Sequence, residues 1–347
     1  MIYSIPFAFS VMAMTFKWNK NSQMILFFAL TILLAFICGF RGEDVGVDTS
    51  TFWRTSENII FDMGFVQREL LYVFLVKFSY NAGLNLQLVY LIYAAITMLA
   101  FSFFIWKFSN KKFLSLFIFV TMGSYYLSTF NQFRQYAAIA SFSALLYFVK
   151  NKKPWHYFIG IILCGLFLHI SALLLLPFYF FLRMEYSVIK KLLIIPVVLL
   201  ASDLLIKLLL LTPYAYFIIR WEQAEKAEFF LLLQLLICIG IMIFEKPLIE
   251  KNKINRMFCN LNYFCFLTVI IIFAVPEIPR EGTQRITNYF LISNLILLPE
   301  IIYLLCKRDK IIALASLFCF LSLYYIRNLN FETYKLTPYT FNFNIFG

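Results

Sequence analysis

The chain has 347 residues, of which 62% are hydrophobic and only 14% charged, with a mean hydropathy of +0.82. So little polar surface excludes a soluble domain and defines a polytopic membrane protein. The formal net charge of +12, from 30 Lys and Arg against 18 Asp and Glu, is explained by membrane topology and implies no nucleic-acid partner.

Lipid offers no partners for backbone polar groups, and alternating barrel strands are absent, so the fold class is all-α. Apolar segments fall near 3–16, 24–40, 85–106, 113–130, 132–149, 155–168, 170–182, 189–206, 229–244, 257–275, 289–305 and 311–326. They amount to about twelve transmembrane helices. We expect a single integral membrane domain over 1–347, with outer loops near 41–84, 207–228 and 276–288 and an outer C-terminal tail, 327–347. Several segments are shorter than the roughly 17 to 25 residues of a full span, notably the two runs flanking His169. The stretch from Glu69 to Tyr80 is expected to be interfacial or re-entrant, because counting it as a span would put Lys107, Lys111 and Lys112 on the wrong side. The first apolar segment is expected to be a membrane anchor rather than a cleaved signal peptide.

Cations in alternate loops set the orientation. One set of loops holds 18 of them, from Lys17 and Lys20 through the clusters around Lys111, Lys152, Lys190, Lys251 and Arg308, against five acids, a balance of +13. The other set holds 12 cations against 13 acids, a balance of −1. The first set marks the cytoplasmic side, and both termini then lie outside. The two basic residue types also separate: 15 of 19 lysines are inside, whereas 8 of 11 arginines are outside. Arginine suits bidentate recognition of phosphate and carboxylate. An anionic ligand, a phosphate or pyrophosphate, is therefore expected at the outer face, the alternative being that the arginines pair with the outer acids.

The outer side carries the polar motifs. Residues 41–55, RGEDVGVDTSTFWRT, are longer and more polar than the roughly two to eight residues that join helices. In NQFRQYAA, Asn131, Gln132, Arg134 and Gln135 sit where a helix begins, a natural place for an anion; a snorkelling arginine is the alternative. FLHISALLLLP places His169 between two half-length runs, where it lines a cavity or bonds a neighbouring backbone carbonyl. PEIPREGTQRITNYF supplies Arg280 and Arg285 just before a span, and the tail ETYKLTPYTFNF, with Tyr339, either lies in the aromatic belt or stacks on sugar rings. The region 207–230 has glutamates at helical spacing and is expected to be an amphipathic interfacial helix. The seven cysteines lie in or at the ends of apolar segments without metal spacing, so no metal site and no cofactor are expected.

RGEDVGVDTSTFW, Glu69, NQFRQYAA, FLHISALLLLP, RITNYF and a closing TPY, in this order, resemble the EpsG family of Wzy-type polysaccharide polymerases. The resemblance implies a topology similar to multispanning polyprenyl-dependent glycosyltransferases. It also implies polymerisation of undecaprenyl-pyrophosphate-linked repeat units into O-antigen, capsule or exopolysaccharide at the outer face of the bacterial inner membrane. The lipid-linked glycan donor and acceptor are the implied partners, with a chain-length regulator protein as a further one. Such chemistry needs a base to take a proton from the acceptor hydroxyl and cations to hold the departing pyrophosphate. Asp48, Glu69 and His169 are candidates for the first role; Arg41, Arg134, Arg280 and Arg285, with Gln135 and Tyr339, are candidates for binding. Asp48 is preferred as base because Gly46 lets the backbone turn closely against a ligand and the Thr49 hydroxyl can orient the carboxylate. Glu69 lies in an apolar helical run beside Arg68, where an ion pair or a helix-packing role is the simpler explanation. A flippase for the same lipid-linked sugars and a membrane O-acyltransferase are the rival classes.

Overall fold

A computed structural model describes residues 2–15, 18–61, 69–210, 228–275, 280–330 and 334–346, with the backbone alone at 188, 202–206, 208–210, 228, 280 and 281. These residues are helical throughout, apart from turns and two isolated β-bridges. They gather into two compact units, Met1–Leu176 with Leu305–Gly347, and Pro177–Leu304.

The first unit opens with α1 (Ser4–Thr15) and α2 (Lys20–Gly39). Asn19 starts α2 by accepting the Ser22 N–H at 2.8 Å, satisfying one of the donors that every helix start leaves open. Residues 41–48 lead to α3 (Thr49–Ile60), followed by α4 (Leu70–Asn81) and α5 (Gln87–Phe108). Helix α6 (Lys112–Thr121) ends in a turn and a 3-10 turn (Leu127–Phe130), after which α7 (Phe133–Lys150) and α8 (Pro154–Phe167) form a hairpin. Pro154 sits in the first turn of α8, where its missing N–H costs no helical bond. Helix α5 packs between α2 and α7, and Thr31 of α2 meets Ser102 of α5 at 2.6 Å, a buried hydroxyl pair of the kind that joins helices in lipid. The 3-10 turn Ile170–Leu175 closes this part of the unit.

Residues 41–48, the start of α7 and the end of α8 lie at one end of the bundle, the arginine-bearing end, while Lys20, Lys107 and Lys150 lie at the other. Helix α4 does not cross. Its first turn adjoins the start of α7 through Glu69 and Arg134, and its far end leads within a few residues to the start of α5, so both ends lie at one level.

The second unit comprises α9 (Phe178–Phe181), α10 (Val188–Leu210), α11 (Glu228–Ile243), α12 (Glu245–Lys251), α13 (Asn255–Ala274), α14 (Arg280–Leu291) and α15 (Asn294–Ile302). Helix α13 packs on α11, α14 and α15. Within this unit Lys191 pairs with Glu245, Lys251 with Glu300 at 2.8 Å, and Thr287 bonds Thr268 at 3.0 Å. The chain then returns to the first unit with α16 (Lys307–Leu329).

Among the described residues, four helices are long and apolar enough to cross a membrane: α2, α5, α13 and α16; α11 with α12, bent by 57°, would make a fifth. Against the expectation of about twelve transmembrane helices, the described residues give these four or five continuous spans and several shorter apolar helices; composition does not register where a helix breaks. The apolar run 113–130 stops being α-helical at Thr121, and 170–182 consists of a 3-10 turn and the four-residue α9. The run 289–305 is interrupted between Leu291 and Asn294 and carries Pro299 inside α15.

Candidate functional site

The arginine-bearing end of the first unit is built on an aromatic floor. Phe52 of α3 packs on Tyr72, Tyr90 and Phe133, with ring centroids 5.7, 4.4 and 5.4 Å away. Arg41, just past α2, lies within this floor at 1% exposure, its guanidinium 4.1 Å from the centre of the Tyr90 ring and Nη1 donating to the Thr129 carbonyl at 3.2 Å. Its Nε has no hydrogen-bond partner. The expectation of Arg41 as a direct ligand for pyrophosphate is corrected by this burial: the charge acts from beneath the surface.

The loop after Arg41 is held by the C-terminal tail. Arg41 and Phe341 form an antiparallel bridge, with Gly42 N donating to the Thr340 carbonyl at 2.7 Å and Asn342 N to the Phe40 carbonyl at 2.9 Å. Gly46 N donates to the Lys335 carbonyl at 2.8 Å. Asn131 clasps both segments, its Oδ1 accepting Val47 N at 2.8 Å and its Nδ2 donating to the Tyr334 carbonyl at 3.4 Å. Gly46 has φ +99°, and a Cβ there would lie 2.7 Å from the Phe130 carbonyl oxygen. The tight turn is thus fitted to the protein's own chain and not to a ligand.

Asp48 is half-buried at the start of α3. Thr49 does not orient it, because the only proton on Oγ1 goes to the Val45 carbonyl at 2.7 Å. Both local reasons for preferring Asp48 are therefore used by the scaffold. Tyr339 is also corrected: it is a strut, not a platform for sugar. Its hydroxyl donates to the Ile37 carbonyl, its ring meets Tyr3 edge-on at 5.3 Å, and burial pushes its hydroxyl above the ordinary tyrosine range.

Glu69 and Arg134 come together. Glu69, the residue before α4, is 7% exposed, and its Oε2 accepts Arg134 Nη1 at 3.4 Å. Arg134 is the second residue of α7 and stacks 4.6 Å from the centre of the Tyr72 ring. Arg134 is thus a partner 65 residues away in the chain; the pairing with Arg68 expected from sequence neighbourhood lies outside the described residues, as Arg68 does. The contact is long and uses one carboxylate oxygen, and Arg134 keeps 30% side-chain exposure. An anion can therefore reach its remaining N–H groups. Gln135, next along α7, is buried at 2% exposure and is not on the open surface.

His169 follows α8 at the same end, since α7 and α8 run antiparallel. Its Nδ1 lies 2.7 Å from Ser171 Oγ and accepts the Ser171 N–H at 3.3 Å, so the ring starts the following 3-10 turn. Arg280 and Arg285 belong to α14 of the second unit; Arg285 is half-buried, and the Arg280 side chain lies outside the described residues, as do 276–279. The helix expected across 207–230 likewise falls largely outside them, at 211–227. Among the described residues no three His, Cys, Asp or Glu side chains are grouped to hold a metal ion.

Sequence reasoning missed Tyr72 beneath Arg134, the Asn131 clasp and the docking of the tail. One signal was available: from Thr340 to Asn344 the tail alternates polar and aromatic residues with the period of a strand. The family model that matches this chain is that of the EpsG family, over residues 24–341, a range that contains every site residue above. No curated protein and no solved structure matches the chain.

Proposed function

The chain belongs to the EpsG family, which includes Wzy-like polymerases, and we propose that it polymerises undecaprenyl-pyrophosphate-linked repeat units at the outer face of the bacterial cytoplasmic membrane. The observation that carries this reading is the pair formed by Glu69 and Arg134 at one end of the bundle. It sets a carboxylate beside a guanidinium that stays half open, over an aromatic floor. A base and a pyrophosphate binder are the two groups that the reaction requires.

In this reading the acceptor hydroxyl oxygen forms a bond to the anomeric carbon of the donor glycan while its proton passes to Glu69. The bond from that carbon to the pyrophosphate oxygen breaks, and the pyrophosphate leaves with the electron pair. Arg134 donates to the phosphoryl oxygens as this charge develops, in a site where fixed donors need no reorganisation. Arg41 adds a buried positive charge from below, and His169 lies at the same end. The base assignment thus moves from Asp48 to Glu69, because Gly46 and Thr49 are committed to the scaffold whereas Glu69 already touches an arginine.

A deletion strain tests the function. Loss of a polymerase leaves glycans capped by single repeat units with no long chains. Intact long chains lacking acetyl groups would instead assign an acyltransferase, and accumulation of the lipid-linked repeat on the cytoplasmic side would assign a flippase.

A further inference from the structure

We infer that the C-terminal strand, residues 334–346, is an interfacial anchor: Phe341, Phe343 and Phe346 enter the lipid leaflet at the arginine-bearing end, and this contact keeps the loop over Arg41 in place. The segment is extended and is held by its backbone: the Thr340 carbonyl accepts Gly42 N and Asn342 N donates to the Phe40 carbonyl, leaving the Phe341 and Phe343 side chains together on one side.

Those two rings stack on each other with centroids 5.1 Å apart and planes 14° apart. Phe36 lies 6.1 and 6.0 Å from them, and Phe40 is 5.5 Å from Phe343. Phe36 is the last member of an exposed stripe on α2, Ile25, Phe28, Ile32 and Phe36, at the spacing that puts residues on one helix face. Because α2 is long and apolar enough to cross the membrane, that stripe faces lipid. The strand continues it beyond the end of the helix.

The apolar rim extends further round the unit. Ile345 accepts Asn85 N at 2.8 Å, and Phe346, 77% exposed, bridges to Leu84 just beyond α4. Helix α4 carries its own exposed row, Leu70, Phe74 and Phe78, at intervals of four. Two elements that do not cross the membrane therefore present apolar rows at one level, where aromatic residues favour the membrane interface. A glycan is the other occupant an aromatic surface would take, but these rings continue an apolar row of Ile25, Phe28, Ile32 and Phe36 that offers a sugar no polar partner.

The consequence is mechanical. The strand that carries these rings also accepts the N–H groups of Gly42 and Gly46, so the leaflet contact and the burial of Arg41 share one segment.

The test places the photo-crosslinker p-benzoylphenylalanine at position 343, 346 or 344 of the full chain in native membranes and weighs the adducts. Phospholipid adducts at 343 and 346 with few at 344 are expected. Glycan adducts, or equal lipid labelling at 344, would overturn the anchor. A second measurement follows hydrogen exchange of residues 40–48 in lipid nanodiscs. Phe343→Ser combined with Phe346→Ser should speed exchange at Gly42 and Gly46 by about tenfold or more, while Phe343→Trp with Phe346→Trp, which keeps an interfacial aromatic, should leave it slow. Unchanged exchange in the serine variant would overturn the clamp.

Discussion

In the proposed reaction Arg134 has two duties at once, and they ask different things of the side chain. The ion pair with Glu69 needs only a positive charge within reach, whereas holding a pyrophosphate needs several N–H groups fixed in one plane, and stacking on Tyr72 fixes that plane. Lysine keeps the first and loses the second. Arg134→Lys is therefore expected to leave the protein abundant and folded yet lower polymerisation nearly as far as Arg134→Ala, read as chain-length ladders from membranes with matched protein levels. Full activity in the lysine variant would reduce Arg134 to a structural partner of Glu69. At this scale the sequence was informative about which residues matter and silent about how they meet. Glu69, Arg134 and His169 stood out as polar residues in apolar surroundings. That Glu69 reaches Arg134 depends on α4 lying beside α7, which no local pattern encodes.

Among the elements, the loop 41–48 with its tail strand shows why the remaining sequence expectations moved. Gly46 and Thr49 looked like features turned toward a ligand, but each is a backbone requirement of the loop: a left-handed turn against Phe130 and a hydroxyl returned to Val45. Arg41 looked exposed because it stands in a polar stretch, and it is buried because the loop folds back under the tail. Two glycines separate strain from collision. Gly83 also has a positive φ, +65°, but a Cβ there meets nothing within 4 Å, whereas at Gly46 it meets the Phe130 carbonyl at 2.7 Å. Gly83→Ala should cost about 1 kcal/mol from backbone strain alone, and Gly46→Ala should cost more, about 2–4 kcal/mol. Thermal unfolding of the detergent-purified variants checks the order; equal melting temperatures would mean that the loop is free to move off the 130–131 segment.

For the whole molecule, hydropathy gave the class, an all-helical membrane protein, because it depends on composition averaged over many residues. It does not register where helices break: a turn such as Met122–Tyr126 or a break such as Ile292–Ser293 leaves composition unchanged while ending the helix. The division of lysine from arginine yields a prediction about sidedness. A cysteine at Asp44 or Gly282 should react with an impermeant reagent applied to intact cells or spheroplasts, and one at Asn151 or Asn252 should not. The reverse pattern would put the Glu69–Arg134 end in the cytoplasm and remove it from lipid-linked repeat units presented outside.

The most direct test of the central claim uses purified protein in proteoliposomes supplied with undecaprenyl-pyrophosphate-linked repeat units, comparing the native chain with Glu69→Gln and Asp48→Asn. The native protein should build a ladder of chains, and Asp48→Asn should retain it. Glu69→Gln, nearly isosteric, should still bind the lipid-linked substrate but turn over at least about a hundredfold more slowly. A native protein that builds no ladder, or a Glu69→Gln variant that polymerises at the native rate, would contradict the account.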